Sequence, residues 1–101
     1  MKQPRGLISV LLDPNARIDA RDDAAMDLSS YSEPEAEDAL VRAGSDPTTP
    51  EIVLSSCGES LAEIWVRRGQ FNRRVLDSLS PAARSEALAY LETRAPDLLN
   101  P

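Results

Sequence analysis

Large side chains are scarce in this chain, and most of them sit in one stretch. Cys57-Gly58-Glu59-Ser60-Leu61-Ala62-Glu63-Ile64-Trp65-Val66-Arg67-Arg68-Gly69-Gln70-Phe71 holds the only Trp, the only Cys and the only Phe of 101 residues. Extended back to Pro50, its apolar residues fall at Val53, Leu54, Cys57, Leu61, Ile64 and Trp65, the three-and-four spacing of one helical face. The rest of the chain must therefore pack around one long helix. Pro50 suits a first helical position, Thr49 is placed to cap the free amides before it, and Gly69 is suited to the left-handed conformation that ends a helix. Trp65 lies about 40° from the centre of the apolar stripe at ~100° per residue, which predicts a core side chain.

A chain of 101 residues supports one domain with one core. A lone cysteine forms no internal bridge, and Cys57 on the apolar face reads as a small core residue rather than a reactive thiol. The longest apolar run, Leu7 to Leu12, is interrupted by Ser9 and falls far short of the ~20 residues a bilayer needs. With no signal-peptide pattern either, the expected location is cytoplasmic. Ten Arg against one Lys point to a GC-rich bacterial genome.

The chain has no His, which removes the commonest general base, the Ser-His and Cys-His nucleophile pairs, and the commonest metal ligand. It also lacks a glycine-rich phosphate loop, a nucleophile elbow and a CxxC pair. Oxygen-bearing residues alternate in Asp13-Pro14-Asn15-Ala16-Arg17-Ile18-Asp19 as in a calcium loop, but Ile18 stands where the sharp turn needs Gly. The expectation is a non-enzyme with no catalytic residue, no metal and no cofactor.

Gly6 to Leu12 reads as a short helix closed by the Asp13-Pro14-Asn15 turn. A second helix is predicted from about Ala16 to Tyr31, with Ile18, Ala25 and Leu28 inward and acids near its N-terminus. Ser32-Glu33-Pro34-Glu35 has the spacing of a capping box, opening a third helix that carries Ala36, Ala39, Leu40 and Ala43 inward and stops at Gly44. The long helix follows the Ser45–Pro50 loop. Asn72 is the expected cap of a fifth helix with Val75, Leu76 and Leu79. Pro81 opens a sixth, with Ala87, Leu88 and Leu91 on one face, and Ala95-Pro96 closes it.

These six helices form three hairpins related by translation along the chain. A shift of 36 residues carries Ile18 onto Leu54, Ala25 onto Leu61, Leu28 onto Ile64, Asp27 onto Glu63, Ala39 onto Val75 and Leu40 onto Leu76. A shift of 27 carries Leu61 onto Leu88, Ile64 onto Leu91, Ala62 onto Ala89 and Glu59 onto Glu86. Units of this length bury their apolar stripes by stacking. The expected fold is all-α, a single domain of three stacked hairpins forming a short α-solenoid, with units at about residues 6–31, 32–69 and 70–96.

Ala24-Ala25-Met26-Asp27-Leu28, then Glu35-Ala36-Glu37-Asp38-Ala39-Leu40, then Ser60-Leu61-Ala62-Glu63-Ile64 resemble the pattern of HEAT-like α-helical repeats, of the kind also found in phycobilin lyases. The likeness covers about Leu7 to Leu91. It departs in the long Ser45–Pro50 loop and in a first unit whose opening helix is barely two turns. The resemblance implies a scaffold that binds other proteins, with the second helix of each pair lining the inner face.

Charge adds a direction to that expectation. From Asp13 to Glu51 eleven acids meet three Arg, whereas from Ile52 to Pro101 six acids meet six Arg. An acidic N-terminal half disfavours a nucleic-acid backbone and favours a basic partner. With Leu61 at the centre of the buried stripe, Glu59 and Glu63 point away from it. Their repeat equivalents are Asp23 and Asp27 earlier, and Glu86 and Tyr90 later. Stacking would set Asp23, Glu59 and Glu86 in one row and Asp27, Glu63 and Tyr90 in the next, an acidic ridge whose bland reading is a soluble surface that keeps a small protein monomeric. The expected function is a protein-binding module that holds a basic protein through these six residues, one concrete version being an immunity protein that neutralises a basic nuclease toxin by analogy of size and charge. Two alternatives compete with it. One is an accessory or lyase-like protein with a small-molecule pocket near Cys57, Trp65 and Tyr90. The other is a nucleic-acid binder using Arg67, Arg68, Arg73 and Arg74, a cluster whose structural reading is cations at the end of a helix.

Overall fold

The computed structural model describes residues 2–100, and over those residues it is helical with no strand. Seven α-helices follow in order: α1 (Arg5–Leu12), α2 (Ile18–Asp27), α3 (Pro34–Ser45), α4 (Glu51–Arg68), α5 (Arg73–Ser78), α6 (Pro81–Arg94) and α7 (Pro96–Leu99). A 3-10 turn, Leu28–Ser30, continues α2. The helices occupy a volume extending 40 × 26 × 19 Å.

α4 is the hub, packing on α2, α3 and α6, while α1 packs on α2 and α3, and α5 and α7 on α6. Val53, Cys57, Leu61, Ala62 and Trp65 of α4 are fully buried, and they meet Leu28, Leu40, Leu76, Ala83, Ala87 and Leu91 from the surrounding helices. Burying a large apolar side chain is worth roughly 1.5–3 kcal/mol, so this one helix anchors most of the core. It ends as its sequence predicts. Gly69 takes φ 74° in the left-handed region, and its amide and that of Gln70 return to the Trp65 carbonyl.

Asn72 caps α5 as expected, its side chain accepting from the Val75 amide at 3.1 Å. Other ends differ. α4 starts at Glu51 with Pro50 as its flanking residue and no side-chain cap; Thr49 is instead buried. The Ser32 capping box does not form, because Glu33 is the residue before the helix and makes no side-chain cap bond. Gly44 does not end α3, which runs on to Ser45. Gly44 lies inside the packing: a Cβ there would meet Leu79 Cδ2 at 3.2 Å and Cys57 Cβ at 3.4 Å. Its carbonyl accepts from the Ser80 amide at 2.9 Å, tying α3 to the start of α6. Pro96 closes α6 as expected and then begins the extra turn α7.

On α2 the inward face is rearranged. Ile18, expected in the core, is 53% exposed, and one turn later Arg21 is nearly buried at 8%. The Arg21 guanidinium donates from Nε to the Leu11 carbonyl at 3.0 Å, satisfying an open carbonyl at the end of α1. An arginine stem packs like an aliphatic chain while its head finds the helix terminus. Leu28 and Ala25 are fully buried as their register predicts.

Candidate functional site

The surface of interest is built on the back of α4. With Leu61 fully buried, Glu59 is exposed and Glu63 half-buried on the opposite side of the same helix. Two grooves flank this ridge. Between α2 and α4 a groove of about 270 Å³ is lined by Met26, Ser29, Ser56, Glu59, Ser60 and Glu63. Between α4 and α6 another of about 240 Å³ is lined by Glu59, Glu86, Ala89, Tyr90, Thr93 and Arg94. Glu59 belongs to both grooves and joins them.

Four of the six expected residues, Glu59, Glu63, Glu86 and Tyr90, therefore line these grooves. Asp23 and Asp27 line neither. They are exposed on α2, and Asp23 shares a side with Met26 by its spacing of three. Tyr90 is half-buried and is covered by the Arg94 guanidinium, 5.2 Å from its ring centroid. That cation at the edge of the acidic face follows from the spacing of four between Tyr90 and Arg94 on α6.

The ion pairs among the described residues are Arg17–Asp19, Arg68–Glu37 and Arg84–Asp77. None of Asp23, Asp27, Glu59, Glu63 and Glu86 takes part. These carboxylates are free to accept from the ammonium or guanidinium of another molecule. Met26, 46% exposed, adds an adaptable apolar contact. The sequence gives Met26, Ser56 and Ser60 no place in the acidic ridge, although Ser56 and Ser60 share the four-residue spacing of Glu59 and Glu63.

The serines join α4 to α2. Ser60 is buried and donates to the Ala25 carbonyl at 2.7 Å, and Ser56 donates to the Asp22 carboxylate at 2.5 Å. At the far end of α4 the indole N–H of Trp65 donates to Glu37 at 3.0 Å, and Arg68 holds the same carboxylate through two guanidinium nitrogens at 2.7 and 3.3 Å. Arg68 first, and then the indole, hold the Glu37 carboxyl below its ordinary range. Trp65 also meets the edge of Phe71, ring centroids 5.6 Å apart.

Three of the four arginines flanking the end of α4, Arg67, Arg68 and Arg73, have structural partners. Arg67 donates to the Ser29 and Tyr31 carbonyls at 2.7 and 3.3 Å and forms no ion pair among the described residues. Arg73 lies over the Phe71 ring at 5.4 Å and donates to the Leu99 carbonyl at 3.5 Å. Cys57 and Trp65 are fully buried, and burial pushes the Cys57 thiol up to about 12. Neither lines any of the grooves described, whereas Tyr90, the third residue of the small-molecule reading, lines the one between α4 and α6. Asp13 accepts from the Asn15 amide at 2.9 Å, closing a local turn of the calcium-like stretch.

No helix is long and apolar enough to cross a membrane among the described residues. No family model, curated protein or solved structure matches the chain.

Proposed function

We propose that this protein is a non-enzymatic binding module whose three hairpins stack as a short HEAT-like array and whose α2, α4 and α6 surface holds a basic protein. The reading of a stacked array is supported by pairing within the hairpins, α1 on α2, α3 on α4 and α5 on α6, and between them, α1 on α3, α2 on α4 and α4 on α6. The observation that carries the binding reading is Glu59. It stands in both grooves, between Glu63 and Glu86, and forms no ion pair among the described residues. Unpaired carboxylates one turn apart repel by a few tenths of a kcal/mol, a cost to folding that a cationic partner relieves.

The concrete version is an immunity protein occupying the nucleic-acid cleft of a basic nuclease toxin, where phosphates would otherwise lie. Its test is capture. The purified chain should retain a basic protein from lysate of its source cells, and the Glu59→Lys/Glu63→Lys variant should release it while keeping the same thermal midpoint. Equal retention by that variant would remove the proposal. For the nuclease version, adding the chain should suppress nucleic-acid cleavage by the captured protein.

A further inference from the structure

We propose a second, separate binding site at the end of α4, where the cleft lined by Ser32, Ile64, Arg67 and Arg68 takes one tetrahedral oxyanion of the phosphate type. The cleft measures about 250 Å³ and lies between the last turn of α4 and the loop that enters α3. It is the opposite in sign of the acidic face and stands whether or not that face binds a protein.

Two guanidinium groups serve it from adjacent positions, about 100° apart around the helix, so they reach the cleft from different sides. Each is held before any ligand arrives. Arg67 is fixed by the Ser29 and Tyr31 carbonyls, and Arg68 by Glu37. A guanidinium carries five N–H donors, so each arginine keeps three for a ligand. Holding both side chains in place removes much of the ordering cost of binding. Arg67 bonds only neutral carbonyls, so its full charge is available, whereas Glu37 offsets part of that of Arg68.

Ser32 completes the set. It is exposed, its expected capping role is not used, and its hydroxyl makes no hydrogen bond among the described residues, so it is free to donate. The nearly buried Ile64 supplies an apolar wall that strengthens the attraction of the two cations for an anion.

The geometry selects the class of anion. A planar carboxylate suits one guanidinium fork, and Arg68 already holds such a partner in Glu37. Donors converging from Arg67, Arg68 and Ser32 suit an anion with oxygens in several directions. One anion is the limit, because Glu37, held by Arg68 beside the site, would repel the next phosphate of a nucleic-acid backbone.

The test is an amide NMR titration of the full chain with sodium phosphate against sodium chloride at matched ionic strength, then with sodium sulfate, sodium acetate and glycerol phosphate. Phosphate and sulfate should give saturable shifts confined to residues 29–33 and 64–69, with acetate weaker by about tenfold. Glycerol phosphate binding like phosphate assigns the site to an esterified ligand, and failure of the ester to bind assigns it to the free anion. Arg67→Gln should weaken phosphate by about tenfold and Ser32→Ala by a few-fold, while Arg94→Gln changes nothing. Shifts equal to those in chloride, shifts spread over the surface, acetate binding as well as phosphate, or undiminished affinity in Arg67→Gln would each overturn the site. Should Arg67→Gln fail to fold, the anion series and Ser32→Ala, which breaks no internal bond, decide alone.

Discussion

α4 meets α6 and α2 in two different ways. Toward α6 the contact is backbone against backbone: a Cβ added to Gly58 would lie 1.9 Å from the Ala83 carbonyl oxygen. Toward α2 the contact runs through hydroxyls, Ser60 to the Ala25 carbonyl and Ser56 to Asp22. One interface is fused and the other is stitched. One small residue sets the difference. Where α4 offers glycine the neighbour approaches until atoms touch, and where it offers serine the neighbour stops at hydrogen-bond distance.

The most severe way to break this contrast is Gly58→Ala. The added methyl has no room, so α4 and α6 must separate, at a cost of about 3 kcal/mol by the range for overpacked cores. Thermal melting should show a fall of more than ten degrees, by the roughly 4–8 °C per kcal/mol of a domain this size. A change of a degree or two would mean that the close approach is not what joins these helices. On the stitched side, Ser60→Ala should cost about 1 kcal/mol, the usual worth of one buried hydrogen bond, read as a lower urea midpoint at unchanged slope.

The smallest effect belongs to Glu37→Gln, where a half-exposed pair with Arg68 is screened by water and contributes less than about 1 kcal/mol near neutral pH. Its pH dependence has a definite sign. The folded state holds this carboxyl below its ordinary value of 4.5, so the contribution is present above that value and is lost as acid protonates the folded form. The stability difference between wild type and Glu37→Gln should therefore narrow on acidification below pH 4.5. A difference constant with pH would place the effect in packing instead.

These features were unequally legible in the sequence. The period of apolar residues located α4, and local chemistry located its Gly69 end and the Asn72 cap, because each depends on neighbours within a turn. Helical phase separated buried Leu40 and Leu76 from exposed Glu59 and Glu86. It misplaced Ile18, since the adjacent Arg21 takes the inward position by reaching the end of α1, an interaction with a residue ten positions earlier. Gly44 reads as a helix stop by composition, and only the approach of Leu79 and Cys57 shows why the residue is small. The Trp65–Glu37–Arg68 cluster spans about thirty residues of chain and carries no local spacing signal. Of the candidate site, the outward carboxylates followed from helical phase, whereas the grooves between them depend on how far apart the helices stand.

The most direct test of the binding face compares three single charge reversals, one per helix: Asp23→Lys on α2, Glu59→Lys on α4 and Glu86→Lys on α6. The affinity of each for the captured basic protein is measured by calorimetry. A continuous surface predicts that all three weaken binding, Glu59→Lys most of all because that residue belongs to both grooves. Loss confined to one helix, or affinities equal to wild type in all three, would contradict it.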